Sequence, residues 1–300
     1  MTTLLAPSTA SMSDRAMSDR AQLRVPRLLF VATVADTVRG FLLPIAQYFR
    51  NMGWQVDALA HSIEQDERCQ AAFDHVLNAE WTRNPLDPRH LLYASRIRKL
   101  VEEGEYDLVH VHTPVASFIT RLALEPLRRK HSVKVVYTAH GFHFHPRGSA
   151  IRNLVFKILE RKAGSWTDYL VVMNREDTVA AKETRIVPSD RLCYMPGIGI
   201  DRSFYSPSIV DSGSVAAFRQ EIGAGPNAPI LLMLAEFIER KRHRDAITAF
   251  SKIHCPQAQL VLAGDGPLAT SMKRLAAKLG IAHRVHFLGV RNDVPVLMRA

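Results

Sequence analysis

The stretch VYTAHGFHFHP, residues 136–146, decides how the chain is read. With Lys134 and Val135 before it, its first residues form the β-branched and aromatic run KVVYT of a buried strand. A glycine-containing loop follows and carries His140, His143 and His145. A buried strand that opens into a polar loop is the repeating unit of an open α/β sheet, in which ligands collect at the carboxyl ends of the strands. A zinc site would need three or four converging ligands, and no cysteine or second histidine pair stands nearby to complete one. The preferred reading is that His140, beside Gly141, lets an imidazole and the backbone approach a polar ligand closely. Phe142 and Phe144 are then expected to pack inward, with His143 and His145 structural.

The same alternation extends in both directions. Strand patterns fall at 27–33, 55–60, 108–112, 134–138, 169–173 and 192–195. Helical patterns fall at 40–52, 88–103, 115–130, 149–163 and 174–183, the last capped by Asn174. This βαβα order predicts a parallel sheet covered on both faces. The segment PGIGIDRSFYSP, residues 196–207, breaks the rhythm and reads as a linker. Strand patterns resume at 229–235, 259–263 and 285–288, with helices at 240–254, 268–279 and from 293 onward. The expected organisation is a disordered tail over 1–24, a first domain over 25–195, a linker region over 196–225 and a partial second domain over 226–300. Three strands make half of a doubly wound sheet, so the fold class is α/β with two Rossmann-like domains, the second incomplete.

Composition narrows the chemistry. The formal net charge of +10 favours anionic partners: nucleotides, phosphates or an acidic membrane surface. Aromatic residues are not interleaved with the basic clusters, which argues against nucleic acid. No run reaches the ~18 apolar residues of a membrane span. The three cysteines, Cys69, Cys193 and Cys255, are far apart, so a reducing cytoplasm is expected.

Three further stretches carry candidate chemistry. LVHVHTP places His110 and His112 at a strand end, where they either line the same cleft as His140 or hydrogen-bond to backbone. AGDGPLA, residues 263–269, has the spacing of a dinucleotide fingerprint but follows the second strand of its domain and lacks the ribose-binding acid. Its turn still places the amides of Gly264 and Gly266 where they would face a phosphate. FIERKRHRDAI, residues 237–247, sets Arg240, Lys241, Arg242 and Arg244 at a helix start, where cations oppose the helix dipole unless an anion, such as a diphosphate, sits there. The bland alternative is a solvated basic turn.

Together with YDLVHVHTPVASFITRLA, LERKAGSWTDYLVVMNRED, YMPGIGID and LVLAGDGPLATSMKRLAAKLGIAHRVHFLGVRNDVPVLM, these stretches resemble family 4 glycosyltransferases of the GT-B fold, and within them the bacterial enzymes that build exopolysaccharide and capsule. The resemblance spans about residues 27–300. It implies a nucleotide-sugar donor on the second domain, a glycan or lipid-linked acceptor on the first, and transfer with retention and without metal or other cofactor. His140 matches the histidine near the reacting sugar, and Lys241 the basic residue on the donor diphosphate. Leu288, Gly289 and Val290 match the turn that meets the base. Arg39 and Gly40 fall where the first strand-to-helix loop approaches the phosphates. Glu236 and Phe237 stand where many relatives place arginine, and the family's paired glutamates are expected beyond Ala300. The implied setting is the cytoplasm, with peripheral contact at the inner face of an anionic membrane. The competing expectations are a truncated, non-catalytic protein that binds nucleotide or membrane, and a sugar-nucleotide epimerase of related fold.

Overall fold

Strand β1, Arg27–Val34, contains five successive residues, Leu28 to Ala32, each 0% exposed. Such a strand must be covered on both faces, and its period of two divides it between two cores. Leu29 and Val31 join Val109, Val111, Val135, Tyr137, Leu170 and Val172 on one face. Leu28, Phe30 and Ala32 join Val56, Ala58 and Ala60 on the other. The computed structural model describes residues 24–81, 87, 89–130, 132–145, 148–200 and 202–300. The tail expected over 1–24 lies outside them except for Arg24.

Among the described residues the remaining strands of the first unit are β2 (Gln55–His61), β3 (His75–Asn78), β4 (Leu108–His112), β5 (Lys134–Ala139), β6 (Tyr169–Val172) and β7 (Leu192–Tyr194). All pair in parallel, in the order β3-β2-β1-β4-β5-β6-β7. The direction of winding reverses between β1 and β4, which makes that pair the switch point of a doubly wound sheet. Helices α1 (Ala35–Phe41), α2 (Leu43–Asn51) and α3 (Glu67–Ala72) bring Val38, Ala46 and Cys69 onto one face. Helices α4 (Arg89–Glu103), α5 (Pro114–Arg129), α6 (Ala150–Gly164) and α7 (Arg175–Thr184) cover the other, through Ile97, Leu124, Phe156 and Ala181.

The chain divides into two compact units between Gly199 and Ile200. The second unit holds α8 (Ser212–Glu221), β8 (Ile230–Leu234), α9 (His243–Phe250), β9 (Gln259–Ala263), α10 (Ala269–Lys278), β10 (Val285–Gly289) and α11 (Val294–Arg299). Its parallel sheet runs β10-β9-β8, with the wholly buried β9 at its centre. Here the structure corrects the sequence reading. Residues 212–221, placed in the linker region, form a helix capped by the Asp211 side chain, and Phe218 and Ile222 bury against β9. Elements α3 and β3 were not read at all, because six and four residues are too few to show a period.

The amino edge of the large sheet is closed by carboxylates. Asp74, Asp107 and Asp168 each stand just before a strand and accept a backbone N–H from the neighbouring one: Val56 at 2.7 Å, Arg27 at 2.8 Å and Val135 at 2.8 Å. Arg128 adds two bonds to Asp168, at 2.8 and 2.9 Å. Burial pushes the Asp168 carboxyl up, but these donors and the nearby cations hold it net below its ordinary value. With that edge occupied, the carboxyl edge is the one left open for a ligand.

One charge lies deep in the first unit. Arg121 of α5 is 0% exposed, donates to Glu160 Oε2 of α6 at 3.2 Å and lies 4.1 Å from the centre of the Tyr137 ring. Removing one partner of a buried pair leaves the other uncompensated. Arg121→Ala should therefore cost about 3–5 kcal/mol, and Arg121→Met with Glu160→Gln should recover most of it. All three tryptophans, Trp54, Trp81 and Trp166, lie in the first unit, so urea unfolding followed by their fluorescence reads this cost directly. Equal stability of the single variant and the parent would contradict it.

Candidate active site

The carboxyl ends of β1, β4 and β5 lie side by side at the switch point, and polar side chains gather there. Period two puts His110 and His112 on one face of β4, over Phe30 of β1, with ring centres 5.4 and 5.9 Å from it. Their own rings are 4.3 Å apart. His110 Nε2 meets Thr138 Oγ1 of β5 at 2.8 Å. His112 is 1% exposed, and its Nδ1 lies 3.1 Å from Nε2 of His140, the residue that follows β5. The strand end therefore carries a graded file of imidazoles, from buried to open. His140 is exposed, with its ring stacked on Phe41 at 5.4 Å.

Burial draws the His110 pKa down to about 3, with the neighbouring imidazole adding to it. Burial likewise holds His112 well below its ordinary value, and His140 is lowered by the solvation lost against its neighbours. The imidazoles are neutral at pH 7, and the bond between His112 and His140 then links their tautomers. If His112 Nδ1 carries the proton, His140 accepts at Nε2 and offers an N–H at Nδ1. In the reverse case His140 donates from Nε2 and offers a lone pair at Nδ1. The second nitrogen of His112, Nε2, is buried with no partner among the described residues. His140 thus has one committed nitrogen and one, Nδ1, left for a ligand.

The loop beyond His140 is anchored at several points. Gly141 has φ +132, a conformation only glycine adopts easily. Phe142 and Phe144 stack at 4.9 Å with Phe144 buried, and His143 lies over Phe156 at 5.3 Å. The Asn153 side chain donates to the His145 carbonyl at 2.7 Å. His140 ends the file at the strand end, while His143 and His145 lie in the loop beyond it. Among the described residues no group of three or more His, Cys, Asp or Glu is placed to hold a metal ion.

Two residues missed by sequence reasoning complete the switch point. Thr113 Oγ1 accepts the Thr33 N–H at 3.0 Å and lies 2.7 Å from Thr33 Oγ1. Thr113 holds φ +64, a strained value for a side chain with a branched Cβ. Only their positions at strand ends could have marked them.

Arg39 and Gly40 require a correction. They lie within α1 rather than in a strand-to-helix loop, because β1 passes straight into the helix at Ala35. The break falls after them, between Leu42 and Leu43, where Pro44 starts α2. The Arg39 guanidinium is engaged by Asp36 at 2.7 Å and Asp66 at 2.9 Å.

In the second unit, the basic cluster forms a short turn, Glu239–Lys241, before α9. Arg242 adopts φ +59 and breaks the expected helix, which begins at His243 instead of residue 240. Arg242 pairs with Asp245 at 2.6 Å, whereas Arg240 and Lys241 are exposed and form no ion pair with a described residue. The glycine turn serves backbone packing: a Cβ on Gly264 would stand 2.1 Å from the Ala235 carbonyl oxygen. The Gly264 amide donates to the Gly289 carbonyl at 2.7 Å and that of Gly266 to Asp265 at 2.7 Å. The first of these bonds joins two of the expected donor-binding stretches, 263–269 and 288–290, while Val290 stays 74% exposed.

A doubly wound parallel sheet followed by a second, smaller parallel α/β unit is the pair of units that makes up the GT-B fold. The chain belongs to glycosyltransferase family 4: the model described as Glycosyltransferase Family 4 matches residues 41–198, and that described as Glycosyl transferases group 1 matches 214–300. It is similar to EpsD of Bacillus subtilis, itself described as a glycosyltransferase, at 33% identity over 276 residues, 91% of this chain and 70% of that one. It also resembles the Escherichia coli UDP-Gal:alpha-D-GlcNAc-diphosphoundecaprenol alpha-1,3-galactosyltransferase at 27% identity, covering 67% of this chain and 52% of the relative. Among solved structures, a glycosyltransferase from Rickettsia africae superposes with a TM-score of 0.71 at 17% identity, over 92% of this chain and 71% of that one.

The buried imidazoles predict acid sensitivity. Their folded pKa values lie below the unfolded value of 6.5, so below about that pH the unfolded chain binds protons that the folded chain refuses. The stability is complete above pH 6.5 and is lost as the pH falls toward 3. Between about pH 7 and 5.5 each histidine should remove about 1 kcal/mol. In His110→Asn with His112→Asn, tryptophan-monitored urea unfolding should show a visibly flatter pH dependence. An unchanged slope would mean that the two rings are protonated in the folded state.

Proposed function

We propose that the protein transfers a sugar from a nucleotide-sugar donor, with retention, to a glycan acceptor carried on a lipid diphosphate, in the synthesis of a bacterial surface polysaccharide. The observation that carries this reading is His140, an open, neutral imidazole with one nitrogen committed to buried His112 and the other free. Such a group hydrogen-bonds a sugar hydroxyl without placing a cation beside an anomeric centre that becomes positive in the transition state. Arg240 and Lys241 supply unpaired cations for the donor diphosphate. Leu288, Gly289 and Val290 form the turn proposed to meet the base, and the 263–269 turn supports it from behind. No metal is assigned a role, and the +10 charge suits substrates that are anionic at both ends. The lipid-linked acceptor draws support from the E. coli relative, which acts on a diphosphoundecaprenol substrate. The epimerase alternative rests on fold alone, while the family match is to transferases.

The deciding experiment offers radiolabelled nucleotide-sugars to the purified protein together with the natural membrane fraction and follows label into lipid extract. His140→Ala should lower the transfer rate by about 10²–10³, the usual cost of removing one hydrogen-bonding group positioned for the transition state. Incorporation that survives the substitution would remove His140 from the reaction.

Lys241→Ala should weaken binding of UDP or GDP by about 1.5–3 kcal/mol in titration calorimetry, the range for hydrogen bonds to charged groups. Unchanged affinity for both would make the 239–241 turn a solvated surface.

A further inference from the structure

We propose that Phe41 is a positioning residue: its ring fixes the plane of the His140 imidazole and so decides where Nδ1 points. This role rests on the reading of His140 in sugar transfer and deepens it.

The hydrogen bond to His112 leaves one freedom of His140 unsettled. In a histidine side chain Nε2 lies close to the line of the Cβ–Cγ bond, while Nδ1 stands well to one side of it. Rotation about that bond therefore moves Nε2 little and sweeps Nδ1 through an arc. The rotation is soft, because a torsion between sp³ and sp² atoms has broad wells. The 3.1 Å contact of Nε2 with His112 Nδ1 thus locates the far end of the ring without fixing its plane. A flat surface against the ring face does fix it. Phe41 supplies that surface, with ring centres 5.4 Å apart and planes 28° from parallel, an offset stack of the kind aromatic pairs prefer. The two contacts are complementary. The stack sets the plane, and the hydrogen bond selects which orientation within that plane presents Nε2 to His112.

The support behind Phe41 is firm. Val38 and Leu42 on either side of it are both 0% exposed, and the Leu42 N–H donates to the Val38 carbonyl at 2.9 Å. Helix α1 therefore ends on two buried anchors, with Phe41 held between them. Arg39, engaged by Asp36 and Asp66, ties the same helix to the N-cap of α3. Phe41 itself is 42% exposed and outside the cores, so a substitution there tests geometry more than folding.

The test uses the whole chain with labelled imidazoles. Phe41→Leu keeps apolar bulk without a flat face, and Phe41→Tyr keeps the ring. In nuclear magnetic resonance the His140 ring protons are assigned by their loss in His140→Ala. They should move in Phe41→Leu, as the ring current of the stack disappears, and stay near the parent's in Phe41→Tyr. The His140 pKa should rise toward its ordinary value in Phe41→Leu, as solvation returns. These readings require no transfer chemistry. In the transfer assay Phe41→Leu should lower kcat and kcat/KM together by up to about 10²-fold, the cost of misplacing a group by about 1 Å. Phe41→Tyr should recover most of that loss, and in a His140→Ala background Phe41→Leu should have no further effect. Unchanged His140 signals in Phe41→Leu would overturn the contact. Shifted signals with undiminished transfer, or an equal loss in the His140→Ala background, would overturn the positioning role. Transfer that survives His140→Ala with the resonance shifts intact would sink the reading of His140, and the role built on it, without touching the contact.

Discussion

The first unit depends on the complete burial of β1. Five residues without exposure commit the chain to a layer on each side, and the alternation of their side chains assigns each to one of two cores. Parallel strands also share direction, so every strand that joins β1 delivers its carboxyl end to the same edge. That constraint, more than any single contact, brings Thr33, Thr113, His112 and His140 together from segments more than a hundred residues apart.

The two edges of that sheet are treated oppositely. At the amino edge, aspartates satisfy the first N–H groups of neighbouring strands, and Arg128 neutralises one of them. The carboxyl edge is less fully satisfied: His112 keeps a nitrogen without a partner among the described residues, and Thr113 holds a strained backbone. Such deficits cost stability and persist where the surrounding structure over-determines them. Burial keeps the inner imidazoles neutral, and a neutral His112 makes the hydrogen bond to His140 directional. The same desolvation that makes this edge acid-sensitive therefore orders its outermost histidine.

The second unit divides its labour differently. Glycines at 264 and 266 let the backbones of three segments approach closely, and the Gly264 amide is used up in joining two of them. Arg240 and Lys241, exposed and in no ion pair with a described residue, stand instead on a turn that Arg242 terminates by its left-handed conformation. Packing and anion-seeking groups are neighbours here but are distinct residues, whereas in the first unit the packed histidines and the exposed one form a single file.

The sequence by itself determined the longer strands, because apolar runs such as 27–33 and 134–138 carry a signal that local context does not override. It also singled out His140 and Lys241 as candidates, since a polar group right after a buried strand, or a cation cluster at a helix start, calls for a ligand. Local signals failed where an element is short, as for α3 and β3, or where its stability comes from elsewhere, as for α8, whose Phe218 and Ile222 matter only once β9 is beneath them. Only the tertiary structure decided which histidines meet. His112 and His140 are 28 residues apart, and their 3.1 Å contact exists because β4 and β5 pair in register, His112 opposite Thr138. It likewise decided that α6 turns its leucines and isoleucines to solvent. A helix exposes whichever face the sheet does not claim, and here Arg121 and Tyr137, drawing in Glu160, claimed the other.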